Sequence, residues 1–228
     1  METEILHLVE GAKKATGLTV IIDVFRAFSL ETCVFAKGCE KGILTGECDT
    51  AFALKKEHPE WLLIGERNGR KVDGFDYGNA PSIISSLNLA GKTFIHTTTN
   101  GVQGIVNASH ASSVLTGSFL SAKATADYIL RQNPEHVSIV AMGWKEGITE
   151  EDELCAEYLS SLLHGHSVSD IDTKLHDLKY QEGKKFFVKE TQDIFPEEDF
   201  YICTKKDIYD FVIKVEKEGN YYVSRPVR

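Results

Sequence analysis

The sequence predicts a layered α/β fold around a mainly parallel or mixed sheet, and two observations predict it. Short runs of β-branched and other apolar residues alternate with helix-patterned segments from residue 18 to about residue 163. Most of those apolar runs also end in a polar turn. Asp23, Glu66, Thr97, Ser118 and Gly143 each stand at such an end, which is where open α/β sheets bind their ligands.

The elements justify themselves in order. Residues 18–22 (Leu-Thr-Val-Ile-Ile) read as a buried strand ending at Asp23, with Arg26 close behind and a helix over 29–37 that stops near Gly38. A short strand at 43–44 precedes a helix over 49–57, which Pro59 ends. Residues 61–64 form the next strand and run into the polar loop 65–70, Gly-Glu-Arg-Asn-Gly-Arg. The loop continues through 74–79 to Pro81, where a helix starts with Asn79 as its expected N-cap. Strand 93–96 leads to the turn Thr97-Thr98-Thr99-Asn100-Gly101 and a helix over 102–108. A strand at 114–115, the turn Gly117-Ser118, a helix over 122–130, a strand over 137–142 and a helix over 150–163 complete the alternation. Residues 169–198 are charged and read as a solvated helix with connecting loops. Residues 200–203 and 221–223 read as strands flanking a helix over 205–215. The expected organisation is one domain over 1–228, its end being either a last unit of the sheet or a smaller C-terminal lobe from about residue 168.

Composition narrows the function. The net charge of -9 argues against broad nucleic-acid binding, which rests on phosphate neutralisation by Lys and Arg. No apolar run approaches the roughly 20 residues that span a bilayer, and the start, Met-Glu-Thr-Glu, carries acids where a secretion signal carries lysines. Five cysteines without a C-x-x-C pair suit reduced structural thiols in a cytoplasm. A homodimer is the commonest assembly for a soluble enzyme of this kind.

The turns carry the chemistry. Gly91-Lys92-Thr93 resembles the end of a phosphate-binding P-loop, but Ser86 replaces its first glycine and a strand follows rather than precedes it. No G-x-G-x-x-G and no G-x-S-x-G occurs. What remains is a set of strand-end acids, Asp23, Glu66, Asp76 and Asp152, beside the cations Arg26 and Arg67. Carboxylates are the oxygen donors Mg²⁺ takes, together with waters and substrate phosphate. Guanidinium groups fork onto phosphate or sulfonate oxygens. The threonine turn offers hydroxyl and amide donors, with Gly101 allowing close backbone approach. The set suits metal-assisted phosphoryl transfer. Each member also has a structural alternative: Thr149 with Asp152 as a helix capping box, Asp23 with Arg26 as a local ion pair, Glu66 with Arg67 or Arg70 as a surface pair. His164-Gly165-His166 lacks a third ligand and reads as a solvated helix end, and His96 as core or site.

Taken together, Ile-Asp-Val-Phe-Arg-Ala at 22–27, Gly-Glu-Arg at 65–67, Gly-Phe-Asp-Tyr-Gly-Asn-Ala-Pro at 74–81, Thr-Thr-Thr-Asn-Gly at 97–101, Gly-Ser-Phe at 117–119 and Glu-Asp at 151–152 resemble the 2-phosphosulfolactate phosphatase family. The likeness runs from about residue 18 to 165 and is weaker beyond. It implies a three-layer α/β/α fold and a Mg²⁺-dependent phosphatase that converts 2-phosphosulfolactate to sulfolactate and phosphate on the route to coenzyme M. The implied site comprises Asp23, Arg26, Glu66, Arg67, Asp76, Asn79, Thr97, Thr98, Thr99, Asn100, Gly101, Ser118 and Asp152. Of these, Asp23, Glu66, Asp76 and Asp152 are the expected metal ligands, and a small anionic phosphate ester is the expected partner. Phe28, Ala80 and Ser121 replace polar residues of the family pattern, expected near the pocket where such groups discriminate substrates. The alternative is a relative that binds a sulfonate or phosphate without turning it over.

Overall fold

The computed structural model describes residues 1–145 and 147–228. Among the described residues, ten strands form one mixed sheet: β1 (Glu2–His7), β2 (Gly17–Ile22), β3 (Lys41–Leu44), β4 (Leu62–Arg67), β5 (Arg70–Lys71), β6 (Thr93–Thr97), β7 (Ala111–Gly117), β8 (His136–Ala141), β9 (Val212–Glu218) and β10 (Tyr221–Val227). Their order across the sheet is β1-β8-β2-β7-β9-β10-β3-β6-β4-β5. Helices are α1 (Leu8–Lys14), α2 (Ala27–Ala36), α3 (Cys48–Glu57), α4 (Pro81–Ser85), α5 (Gly101–Asn107), α6 (Ala122–Gln132), α7 (Glu150–Leu163), α8 (Ile171–Asp177) and α9 (Glu197–Cys203). Among the described residues, no helix is long and apolar enough to cross a membrane.

Two parallel blocks make the sheet. β1, β8, β2 and β7 are mutually parallel, as are β3, β6 and β4. The antiparallel hairpin β9–β10 joins them, pairing with β7 on one side and β3 on the other. The C-terminal strands therefore occupy the middle of the sheet. Because each junction is antiparallel, the blocks run in opposite senses. Strand twist of about 20–25° per neighbour accumulates to roughly 100–125° over the five steps from β2 to β6, which turns the carboxyl ends of the two blocks toward one another.

Alternation along the strands sorts side chains between the faces. Leu18, Val20 and Ile22 of β2 pack with Val137, Ile139 and Ala141 of β8 against α6 and α7. Ile21 and Val140 point the other way, into a core with Ala12 of α1 and Val102 and Ile105 of α5. In the second block Ile64 and Phe94 meet α2 and Ile84 of α4, while Leu63 and Ile95 meet Ala51 and Leu54 of α3. Helices thus cover both faces, a three-layer α/β/α arrangement. α2 is buried from Ala27 to Phe35, as an apolar helix must be when it lies between two cores.

The fold differs from the sequence-based expectation in four places, the first being residues 205–215, expected as a helix, which are a loop leading into β9 and the start of that strand. β1 and α1, over residues 2–14, carry too short a pattern to be read. Residues 200–203, expected as a strand, belong to α9, and the strand expected only at 221–223 is a full hairpin over 212–227. Residues 178–191, expected to be solvated, fold into three consecutive 3-10 turns, Leu178–Tyr180, Glu182–Phe187 and Lys189–Thr191. Phe186 of these turns is fully buried against Phe25, Phe195 and Phe200.

Candidate active site

The carboxyl ends of the two blocks meet at a small cavity of about 30 Å³, lined by Asp23, Arg26, Glu66, Asn79, Thr99, Asn100, Gly143, Trp144, Lys185 and Phe195, with Phe25 and Gly69 completing the wall. Asp23 follows β2, and its Oδ1 accepts the Ala27 N–H at the start of α2 (3.1 Å). A Cβ on Gly101 would lie 2.9 Å from both Asp23 Oδ2 and the Ala27 Cβ, so only glycine lets the threonine turn come this close. Burial, with the negative charge of Glu66 as a further cause, raises the Asp23 pKa from its ordinary 3.8 to about 6.

Glu66, the penultimate residue of β4, is clamped by its surroundings. Its Oε1 accepts the Thr99 N–H (2.6 Å), and its Oε2 accepts the Gly69 N–H (2.6 Å) and the Thr99 hydroxyl (3.0 Å). The expected surface pairing with Arg67 or Arg70 does not form. The Arg67 guanidinium instead donates to the Glu66 and Gly46 carbonyls and to Thr97 Oγ1, so it braces the strand ends outside the cavity lining.

Arg26 does not pair with Asp23. Its Nη1 reaches Asp199 Oδ2 at 2.7 Å and the Ile194 carbonyl at 2.8 Å, and its Nη2 reaches the Gly69 carbonyl at 3.1 Å. The Arg26–Asp199 pair is buried, 3% and 0% exposed. Asp199 also accepts the Ser82 N–H at the start of α4. The pair therefore ties the C-terminal turns to the cavity floor.

Asn79 lines the cavity but does not cap α4, whose N-cap is Ala80. Its Oδ1 lies 3.2 Å from Nε2 of His96. Burial lowers the His96 pKa to about 3, so the ring is neutral. With Nε2–H donating to Asn79, the amide N–H donors of Asn79 are directed away from His96. His96 is thus a buried positioning group.

The threonine turn acts as a frame rather than an open anion cradle. Thr97 Oγ1 accepts from Arg67, Thr98 Oγ1 accepts the Val102 N–H of α5, and Thr99 holds Glu66. Asn100 Nδ2 donates to the Gly143 carbonyl (2.7 Å). Of the expected turn residues, Thr99 and Asn100 line the cavity.

Three further expected residues lie outside the cavity lining. Asp76 lies outside the cavity, its carboxylate accepting from Lys55 Nζ and the Leu63 N–H with a side chain 37% exposed. Asp152 is fully buried, but Oδ1 accepts the Val24 N–H and Oδ2 the Gly143 N–H (both 2.8 Å). It joins the loops after β2 and β8 rather than facing the cavity or forming a capping box with Thr149, whose side chain makes no cap. Burial and the charges of Glu151 and Asp23 push the Asp152 pKa well up. Ser118 is buried with no partner for its hydroxyl among the described residues and does not line the cavity. Phe28, Ala80 and Ser121 do not line it either; Phe28 packs in the core beneath the turn.

The reading missed the roof. Lys185, Trp144 and Phe195 close the cavity opposite Asp23 and Glu66. The Lys185 ammonium lies 2.8 Å from Glu182 Oε1 and 4.6 Å from the centre of the Trp144 ring. The one available signal was the number of phenylalanines, Phe186, Phe187, Phe195 and Phe200, in an otherwise charged segment.

The cavity suits one hard cation held by few protein ligands. Two carboxylates line it, and the charge of one raises the pKa of the other, a repulsion that a cation relieves. Each oxygen retains lone-pair capacity beyond its N–H partners. Among the described residues, no group of three or more His, Cys, Asp or Glu could hold a metal. Of the four expected acids, Asp23 and Glu66 line the cavity, and two carboxylates are a number adequate for Mg²⁺, which keeps waters and substrate oxygens as its other ligands.

Residues 4–218 match the family model described as 2-phosphosulpholactate phosphatase. A Bacillus subtilis (strain 168) protein named probable 2-phosphosulfolactate phosphatase is 33% identical over 204 residues, which cover 89% of this chain and 88% of that one. A Clostridium acetobutylicum protein of the same name is 32% identical, covering 90% and 92%. One from Caldicellulosiruptor saccharolyticus is 39% identical over a shorter stretch, 63% of this chain and 61% of its own. The chain belongs to the 2-phosphosulpholactate phosphatase family.

Proposed function

We propose that this family member hydrolyses the phosphate monoester of 2-phosphosulfolactate, or of a closely related small 2-phospho acid, with Mg²⁺ as its cofactor. The observation that carries the reading is the convergence of two buried carboxylates, Asp23 and Glu66, with Arg26 and Lys185 around one cavity. Arg26 is neutralised by Asp199, so the formal charge around the cavity is slightly negative. A phosphate dianion needs more positive charge than this chain supplies, and a divalent cation on Asp23 and Glu66 would provide it.

When bound there, Mg²⁺ would supply Lewis-acid stabilisation of the phosphoryl oxygens. The chain's own residues do the rest. Arg26 keeps donors beyond its three carbonyl and carboxylate contacts and offers them to the phosphate with the Asn79 amide. The backbone clamp on Glu66 and the Asp152 link between the two loops hold the carboxylates in place, so little reorganisation accompanies reaction. Phe25, Trp144 and Phe195 line the cavity and present apolar surface that would displace water from around the bound ester.

The product, sulfolactate, would feed a route to coenzyme M, and the five free thiols suit a reducing cytoplasm. Phosphate release from a panel of small esters, with Mg²⁺ and with EDTA, tests the reading. Metal-dependent release from 2-phosphosulfolactate is expected. Release from other esters only would move the substrate. Saturable binding of sulfolactate without release from any ester would favour a non-hydrolytic anion-binding protein.

A further inference from the structure

Two cations line the cavity, and they are not equivalent. Arg26 is buried and committed to Asp199 and to two backbone carbonyls. Lys185 is 15% exposed, and its partner Glu182 is 25% exposed. Both project from one 3-10 turn, Glu182–Phe187. A pair between two such long, partly solvated side chains is weakly held and readily exchanged. The ammonium has three donors, one of which meets Glu182.

Its surroundings hold it over the cavity. Besides Trp144, the rings of Phe25, Phe186 and Phe195 lie 5.7–5.8 Å from Nζ, an aromatic collar that favours a cation. Beneath it, Asp23 and Glu151 both have their pKa values lowered by its charge, against burial that raises them. Glu151 Oε2 is buried with no hydrogen-bond partner among the described residues.

The ester bears a sulfonate and a carboxylate besides its phosphate, and each needs a donor where it meets the lining. The floor is pinned by backbone hydrogen bonds to Asp23, Glu66 and Asp152. The Lys185–Glu182 contact is the exchangeable part.

We infer that Lys185 is a specificity-determining residue that leaves Glu182 to bind an anionic group of the ester other than its phosphate, the sulfonate or carboxylate that flanks the phosphate-bearing carbon. The inference rests on the phosphatase reading for the identity of the ester. The phosphate takes the floor, where Asp23, Glu66 and Asn79 lie, and the flanking anionic group meets the roof. A preference for esters with anionic groups besides the phosphate then resides in the C-terminal turns rather than in the strand-end motifs.

Calorimetry on the full chain tests this apart from turnover, with 3-sulfolactate and inorganic phosphate as separate probes in the presence of Mg²⁺. Lys185→Met keeps the aliphatic stem against the rings and removes the charge. It should weaken 3-sulfolactate at least about tenfold and phosphate less than about threefold. Lys185→Arg should recover most of the loss, and Lys184→Gln, on the exposed side of the same turn, should change neither. In kinetics, Lys185→Met should raise KM for 2-phosphosulfolactate at least about tenfold with kcat within about threefold. Equal weakening of both probes, no weakening of either, or no 3-sulfolactate binding by the wild type would overturn the role of Lys185. Absence of phosphate release from every ester by a wild type that still binds 3-sulfolactate through Lys185 would overturn the phosphatase reading alone.

Discussion

The floor of the cavity comes from the ends of β2, β4 and β6, and its carboxylates accept backbone N–H groups from Ala27, Gly69 and Thr99. The roof comes from the loop after β8, the 3-10 turns after α8 and the segment before α9, and its charged member is a lysine held by one partly exposed glutamate. The floor's backbone donors sit at the start of α2 and in the tight turns that follow β4 and β6, where the main chain is anchored by the strands beside it, so the floor is preorganised for developing charge. Side chains on short turns reorient at little cost. Chemistry thus sits on the rigid side and recognition on the adaptable one, with Arg26–Asp199 as the bolt between them.

Substitutions on the two sides should separate these properties. The largest effect is expected at Asp23, on the floor. Asp23→Asn should lower kcat by at least about 10³-fold, some 4 kcal/mol of barrier, without loss of thermal stability, because it removes a buried like charge beside Glu66. Phosphate-release kinetics and calorimetric unfolding measure the two together; full activity would remove Asp23 from the mechanism.

The bolt comes next. Asp199→Ala leaves the Arg26 guanidinium buried without its partner and should cost about 3–5 kcal/mol in urea unfolding. A near-wild-type midpoint would show that roof and floor are not joined through this pair.

Glu31 on α2 sharpens the contrast by showing a buried carboxylate without backbone donors. Its Oε1 meets only the Ser224 hydroxyl, and Oε2 has no partner among the described residues. Burial raises its pKa from 4.5 to about 7. Between those values the folded protein holds a proton that the unfolded chain has lost, so stability falls as pH rises through the window. Glu31→Gln should abolish that fall, gaining about 3 kcal/mol over wild type at pH 8 and nothing below pH 4.5. Urea titrations at the two pH values read the difference; a pH-independent gain would contradict the assignment.

The smallest effect is expected at Asp76. Because its carboxylate serves Lys55 and the Leu63 N–H at the surface, Asp76→Asn should leave kcat within about threefold and cost less than about 1 kcal/mol. Loss of turnover would extend the floor to include it.

Much of the floor was legible because its signals are local. Asp23, Glu66 and Asn100 stand at ends of apolar runs or in the turn beyond them, and Gly101 marks a place where a backbone must come close. The roof was not legible, because phenylalanines on 3-10 turns have no helical or strand period to betray a buried face. β1 and α1 were missed for the related reason that an edge strand and a two-turn helix carry few apolar residues.

By itself the sequence determined the alternation of strands and helices, the polar turns that end the strands, and the family, since all three rest on residues close together along the chain. Only the tertiary structure decided which of the four acids share a cavity. Asp152 is claimed by the N–H of Val24, 128 residues away, and Asp76 by Lys55 and Leu63, while Asp23 and Glu66 come from opposed blocks of the sheet. A carboxylate takes whichever donors folding brings to it, and those donors lie in distant segments whose approach depends on the twist of the whole sheet and on the hairpin at its centre.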